Sequence, residues 1–142
     1  MTHTIDQQTI QLLALFGKIA KTTARDAFED HNGTLTFIVE QGQLKKALGQ
    51  EASTVKKLQD LLKKKIRIIE FAPTLEGFIQ QVIKPSKCDI QVEGQTVSLV
   101  PFDLQTRGTL IGRAASHLRN TEMIVNRYYP NIKMMVTQVQ ER

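Results

Sequence analysis

Apolar positions along the first seventy residues change period several times. Leu12, Leu13, Phe16, Ile19 and Ala20 recur at the spacing of one helical face as far as about Lys21. Thr4, with Gln7 three residues on, reads as a capping box that opens this helix. A weak two-residue alternation follows, with Ala24, Asp26 and Phe28 set against Arg25, Ala27 and Glu29. Asn32-Gly33 predicts a two-residue hairpin turn, and Leu35, Phe37 and Val39 predict its partner strand. Gly42 ends that strand, and a short helical piece spans 43–48. After Gly49-Gln50-Glu51-Ala52, Ser53 is placed to cap a helix carrying Val55, Leu58 and Leu62 on one face. Ile66 and Ile68, with Phe71 as an outer candidate, close the series as a strand.

Pro73 punctuates the chain, and the same order begins again. Leu75, Phe78, Ile79, Val82 and Ile83 predict a helix that stops before Pro85. Cys88, Ile90 and Val92 alternate in a strand spanning 87–93, Glu93-Gly94-Gln95 turns it, and Val97 and Leu99 lead the return strand towards Phe102. A helical piece over 104–111 meets the loop Gly112-Arg113-Ala114-Ala115. A helix through Leu118, Ile124, Val125 and Tyr128 then runs to about Tyr129, and Ile132, Met134 and Val136 form the last strand. Gly33 corresponds to Gly94, Gly49 to Gly112 and Ile66 to Ile132, at separations of 61, 63 and 66 residues. Chance rarely repeats an ordered series of this length, so the pattern predicts an internal duplication. The expected fold class is α+β, with two units over 1–72 and 73–142, each near the lower size limit for independent folding. The junction "FAPTLEG" is too short and apolar for a tether, so the two are expected to pack rigidly together.

Composition changes this picture modestly. The 142 residues are 41% hydrophobic but only 6% aromatic and contain no tryptophan, which predicts an aliphatic core. The net charge of +5 is uneven. Residues 41–70 hold eight Lys/Arg against three Asp/Glu, whereas residues 1–40 hold three against five. Positive charge therefore gathers around the first loop and the helix after it, which weakly favours an anionic partner. The "LLKKKIR" lysines equally suit a solvated helix end, and Arg127 and Lys133 suit ordinary surface positions. Tyr128-Tyr129 reads as packing rather than as a base-stacking platform.

A single cysteine, Cys88, has no disulfide partner and is expected to be a buried hydrophobe, in keeping with a reducing cytoplasmic setting. The opening "MTHTIDQQ" lacks the basic-then-apolar order of a signal segment, and no apolar run nears the ~20 residues of a membrane helix. His3, His31 and His117 share no metal-ligand spacing with one another or with Cys88. No phosphate-binding GxxxxGK, HExxH or GxSxG pattern occurs, and Glu29-Asp30 sits beside a turn, where solvation accounts for it. An enzyme, a cofactor, a metal, a small-molecule substrate and a membrane partner are accordingly not expected.

Strand, helix, glycine loop, helix, strand resembles the core of the KH RNA-binding module, whose loop is written I-G-x-x-G. The matching residues are Ile111, Gly112, Arg113, Ala114 and Ala115, and earlier Leu48, Gly49, Gln50, Glu51 and Ala52. The added N-terminal helix and strand resemble the type II variant. Two fused type II units over nearly the whole chain resemble the archaeal NusA-like transcription factors, with "IQLLALFGKIAKTTARDAFED" and "LIGRAASHLR" similar to that family's opening segment and second loop. The resemblance implies two tandem type II KH modules, each a three-stranded mixed sheet with helices on one face. It also implies a factor that binds single-stranded nascent RNA and influences transcription elongation or termination, with RNA polymerase as a candidate second partner.

The chemistry expected of such a loop is simple. A helix beginning at the loop offers unpaired N–H groups and the positive end of its dipole, where a phosphate settles. Small residues let the nucleic-acid backbone approach, and KH modules clamp about four nucleotides there beside an apolar groove, for which Leu110 and Ile111 are candidates. Arg113 adds a phosphate-directed cation, and His117 and Arg119 are expected in the first turn beyond it. Ala115 in place of a second glycine costs ~1 kcal/mol if its φ is positive, and nothing if it is helical. In the first unit Gln50 replaces the basic residue and Glu51 opposes a phosphate, while Lys45, Lys46, Lys56 and Lys57 surround the loop. This leaves two readings, a weakened grip with retained attraction or a loop that meets protein instead. At the level of function two alternatives stand beside the leading reading: a ribosome-associated or RNA-maturation KH protein, and an interaction scaffold that no longer binds RNA.

Overall fold

The computed structural model describes residues 6–140, and the chain divides between Pro73 and Thr74 into two compact units. The first contains helix α1 (Gln7–Ala20), strands β1 (Ala24–Glu29) and β2 (Leu35–Val39), helices α2 (Leu44–Leu48) and α3 (Ser53–Leu62), and strand β3 (Ile66–Glu70). The second repeats the order with α4 (Leu75–Ile83), β4 (Asp89–Glu93), β5 (Thr96–Val100), α5 (Leu104–Ile111), α6 (Ser116–Asn126) and β6 (Lys133–Val136). Each unit has its own three-stranded mixed sheet, ordered β1-β2-β3 and β4-β5-β6. The hairpin pair is antiparallel, and the strand after the two helices joins the centre in parallel, Leu35 beside Ile66 and Thr96 beside Lys133. A parallel pair needs a long crossover, which α2–α3 and α5–α6 supply.

The first core shows why the predicted faces fold as they do. Phe16 of α1, Ala47 of α2 and Leu58 of α3 are buried with Leu35, Phe37, Val39 and Ile66, and Val55 and Leu62 pack against them. All three helices thus bury their apolar stripes on one face of the sheet. Phe16 stacks on Phe37 with centroids 4.6 Å apart, a geometry favoured between aromatic rings. In the second unit Phe78 of α4 meets Tyr128 edge to face at 5.3 Å and Tyr129 at 6.4 Å, so the tyrosine pair packs, as expected. Cys88 is buried just ahead of β4, and burial pushes its thiol upward, which keeps it protonated and unreactive. No helix among the described residues is long and apolar enough to cross a membrane.

Several local expectations are corrected. Gly94-Gln95 forms a two-residue turn between Glu93 and Thr96, but the first hairpin does not turn on Asn32-Gly33 alone. Five residues separate β1 from β2, and the Asp30 N–H bonds the Thr34 carbonyl. Asp30 organises this loop: Oδ1 accepts from the N–H groups of Asn32 and Thr34, each at 2.9 Å, and the residue is 7% exposed. It is therefore a buried structural carboxylate and not a solvated one. The Thr4 cap lies outside the described residues, and the cap observed on α1 is Asp6, whose carboxylate accepts from Thr9 N–H at 2.8 Å. Asp103 caps α5 in the same way through Thr106 N–H at 2.7 Å. Ser53 does not cap α3; it is the first helical residue, preceded by Ala52 in a left-handed conformation. Helix α6 stops at Asn126, short of Tyr129, and β4 begins at Asp89, two residues later than expected.

Asp30→Ala removes the buried acceptor of the Asn32 and Thr34 N–H groups and is expected to destabilise the chain by about 1–2 kcal/mol in urea unfolding. The cap hydrogen bonds hold the Asp6 and Asp103 carboxyls below the ordinary value of 3.8. A folded-state pKa below the unfolded one contributes stability that is complete above the unfolded value and is lost as pH falls through the folded one. The difference in thermal midpoint between wild type and Asp103→Ala is therefore expected to persist at neutral pH and to shrink as the pH is taken below 3.8.

Candidate nucleic-acid interface

The two glycine loops are built alike to within about a dozen degrees. Gly49 ends α2 at φ 72°, ψ −175°, and Gly112 ends α5 at φ 73°, ψ 176°. Two residues on, Glu51 (φ 54°, ψ 37°) matches Ala114 (φ 52°, ψ 34°). Ala52 (φ 57°, ψ 35°) then matches Ala115 (φ 62°, ψ 23°), and the next residue begins a helix. The loop thus turns through a glycine, one ordinary residue and two left-handed ones. The open question about Ala115 is answered: its φ is positive, as is that of Ala114, so both carry the steric cost of a Cβ in that region.

Glycine at the first position is required by space as well as by φ. A Cβ on Gly112 would stand 2.7 Å from His117 Cγ and 2.8 Å from the His117 nitrogen, and one on Gly49 would stand 2.6 Å from Ser53 Oγ. The loop presses its glycine against the first turn of the next helix. It leaves the following residues outward: Arg113 and Ala114 are exposed, as are Gln50, Glu51 and Ala52. The first-turn N–H groups of α3 and α6 begin here.

The side chains assigned from sequence divide into three groups. Arg113 projects from the exposed corner, and Ile111 is half-buried beside it. Lys45 and Lys46 on α2, and Lys56 and Lys57 on α3, are exposed on the helices that enter and leave the Gly49 loop, whose Gln50 is exposed as well. His117 and Arg119 do occupy the first turn of α6, but each is already engaged. The His117 Nδ1 lies 2.9 Å from the Thr109 carbonyl near the end of α5. Arg119 bonds Glu122 at 2.9 Å and the Met134 carbonyl at 3.3 Å. Leu110 is corrected as well: it is 5% exposed and belongs to the core and not to a groove.

Sequence reasoning missed Glu122 and Asn126. They continue the line from Arg119 along one face of α6 towards β6. Glu122 Oε2 accepts from Met134 N–H at 2.8 Å. Asn126 closes both backbone groups of Ile132, Nδ2 to its carbonyl at 2.9 Å and Oδ1 from its N–H at 2.8 Å. The spacing 119, 122, 126 was visible as one helical face, but the strand edge opposite was not. Among the described residues no group of three or more His, Cys, Asp and Glu is placed to hold a metal.

Fold and loops together define an α+β protein of two repeated units, consistent with tandem type II KH modules. The crystal structure of APE1850 superposes with a TM-score of 0.78 at 19% identity, over 94% of this chain and all of that one. No protein-family model matches the chain. Among curated proteins it is 24% identical over 132 residues to "Probable transcription termination protein NusA" of Halococcus morrhuae, covering 91% of this chain and 94% of that protein. It matches the protein of the same name from Halobacterium salinarum to the same extent, and that of Methanocaldococcus jannaschii at 24% over 91% of this chain and 72% of that protein. Over nine-tenths of its length the chain is similar to these archaeal NusA-like proteins.

Gly112→Ala forces a Cβ into the His117 backbone and is expected to lower the thermal midpoint by the equivalent of at least about 2 kcal/mol. Ala115→Gly relieves a left-handed alanine and is expected to be neutral or stabilising by up to about 1 kcal/mol, since the relief exceeds the added unfolded-state entropy. A destabilised Gly112→Ala beside an Ala115→Gly that is no less stable than wild type, measured in one denaturation series, checks the backbone reading of the loop.

Proposed function

We propose that the chain is an RNA-binding transcription factor. In this reading it holds single-stranded nascent RNA at the glycine-loop corners of two tandem KH modules, spanning 1–72 and 73–142. It influences elongation or termination in the cytoplasm, with RNA polymerase as its second partner, and performs no catalysis. The observation that carries the reading is the Gly112 corner. A surface loop of small residues opens a helix of eleven residues, its dipole points outward, and an exposed Arg113 stands at the tip. The RNA phosphate backbone needs those elements and no catalytic group. The names of the archaeal relatives support the process, and the lysine-rich flank of the first loop supports the polymer.

The first loop has the same backbone but an exposed Glu51 where the second has Ala114. Its lysines draw in the polymer while that carboxylate weakens the local grip. Fluorescence anisotropy with a labelled single-stranded RNA tests the proposal. With about four phosphates neutralised, affinity is expected to fall roughly 50-fold between 50 and 200 mM salt, at a slope of about 0.7 per phosphate. Arg113→Glu is expected to weaken binding by at least about tenfold, the loss of one charge-assisted contact, and Glu51→Lys to strengthen it. Unchanged affinity on Arg113→Glu would defeat the proposal.

A further inference from the structure

The first strand of each sheet lies at an edge, β1 in one unit and β4 in the other. In the second unit the Gln95 and Leu99 carbonyls accept from the N–H groups of Lys133 and Thr137, so these residues turn their backbone towards β6. Alternate residues of a strand turn opposite ways. Thr96, Ser98 and Val100 therefore face β4, where their partners are Glu93, Gln91 and Asp89. This leaves the N–H and carbonyl groups of Ile90 and Val92 pointing away from the sheet. Cys88, two residues earlier, is covered, because Gln80 Nε2 donates to its carbonyl at 3.4 Å. Among the described residues nothing bonds the outward groups of Ile90 or Val92. The register with β5 runs without a bulge, and β4 holds neither lysine nor proline, so the devices that commonly blunt an edge are missing.

The first unit closes the corresponding edge. Leu35 N–H and the Val39 carbonyl bond on the β3 side, so Thr36 and Ile38 face β1 at Phe28 and Asp26. Ala27 between them turns outward, and its N–H donates to Asp26 Oδ1 at 2.9 Å. A bulge between Ala24 and Asp26 interrupts the strand further. Asp26, Ala27 and Phe28 are buried, whereas every residue of β4 except the half-buried Ile90 is exposed. Charge then restricts what the open edge accepts. Asp89, Gln91 and Glu93 share one face of β4 at steps of about 7 Å, with Ile90 and Val92 on the other. Neither carboxylate joins an ion pair among the described residues, in a chain whose net charge is +5. A second copy is opposed, because two β4 strands paired antiparallel about Gln91 set Asp89 opposite Glu93 twice. The phosphates of RNA meet the same repulsion.

We propose that the free edge of β4 receives an extended segment of another protein in which basic and apolar residues alternate, adding a fourth strand to the second sheet. The outward N–H and carbonyl groups of Ile90 and Val92 supply the main-chain hydrogen bonds. Basic side chains at every second position lie beside Asp89, Gln91 and Glu93. The apolar residues between them cover Ile90 and Val92, the latter 36% exposed. The carboxylates act in two ways: they attract a cationic strand and they repel both a second β4 and a polynucleotide. Because β5 separates β4 from β6, this edge is on the far side of the sheet from the strand that follows the Gly112 loop. The docking site therefore stands independently of the RNA-binding reading.

The test titrates the full chain with a labelled seven-residue peptide in which lysine and valine alternate, followed by anisotropy and by amide-resolved NMR. Saturable binding is expected, with shifts and slowed hydrogen exchange at the Ile90 and Val92 amides. A peptide alternating glutamate and valine is expected not to bind. Asp89→Asn with Glu93→Gln, which keeps shape and removes charge at two exposed positions, is expected to weaken the lysine peptide at least about fivefold. Val92→Pro removes an outward N–H that the β4–β5 ladder does not use, and is expected to abolish binding. If Val92→Pro loses its dispersed amide spectrum, the doubly neutralised chain decides the matter alone. No saturable binding, equal binding of the two peptides, or shifts that avoid Ile90 and Val92 overturn the inference. So do shifts at these two amides on raising the protein concentration alone, which identify a second copy as the occupant. Single-stranded RNA shifting the same two amides overturns it as well. RNA shifts confined to Arg113–Ser116 leave RNA binding standing whatever the peptides do.

Discussion

The chain must reverse direction between two helices in four residues, twice, at a place where no side chain fits. Gly49 and Gly112 meet that demand with φ near 72°, pressed against the first turn of the helix that follows. What comes after tolerates more: Gln50-Glu51-Ala52 and Arg113-Ala114-Ala115 trace the same path although their chemistry differs. Two left-handed non-glycine residues in each loop mean that strain is held there by the surrounding packing. That packing is the helix pair itself, with Leu58 buried on the sheet in one unit and Leu118 buried in the other. The corner, the crossover and the parallel strand beyond it form one mechanical unit.

With the backbone held constant, the two units diverge by charge and by polar satisfaction. At the loop tip one presents Arg113 and the other Glu51, both exposed. Along the following helix one carries Arg119, Glu122 and Asn126, which bond the strand edge at Ile132 and Met134, and the other carries Lys56, Gln59 and Lys63 at the equivalent positions. Free strand edges attract partners, and side chains that occupy them act as a guard. The duplicated fold thus supports two surfaces of different character without any change in topology. The superposition on the crystal structure of APE1850 shows how little identity, 19%, that topology needs.

Much of the fold was legible because burial imposes periods on the sequence. The stripes of α1, α3 and α4, the alternation in β2 and β5 and the repeat that aligns Gly49 with Gly112 all reflect contact with a core. The errors fall where hydrogen bonds override local preference. Asn32-Gly33 is a strong two-residue turn signal, but the buried Asp30 carboxylate gathers two N–H groups and lengthens the loop. Ser53 is a good capping residue at the right place. The glycine loop nevertheless brings Ala52 into the flanking position and Ser53 into the helix.

The candidate site divides in the same way. The glycines, the small residues, Arg113 and the lysine cluster were fixed by residue type alone, because close approach and charge are properties of single side chains. The engagement of His117 with Thr109, of Arg119 with Met134 and of Asn126 with Ile132 was decided by tertiary structure. A hydrogen bond between a helix and a strand edge depends on the distance and direction between two segments that lie apart in the chain. No periodicity within either segment carries that information, so sequence established which groups were present and the fold determined which of them were already occupied.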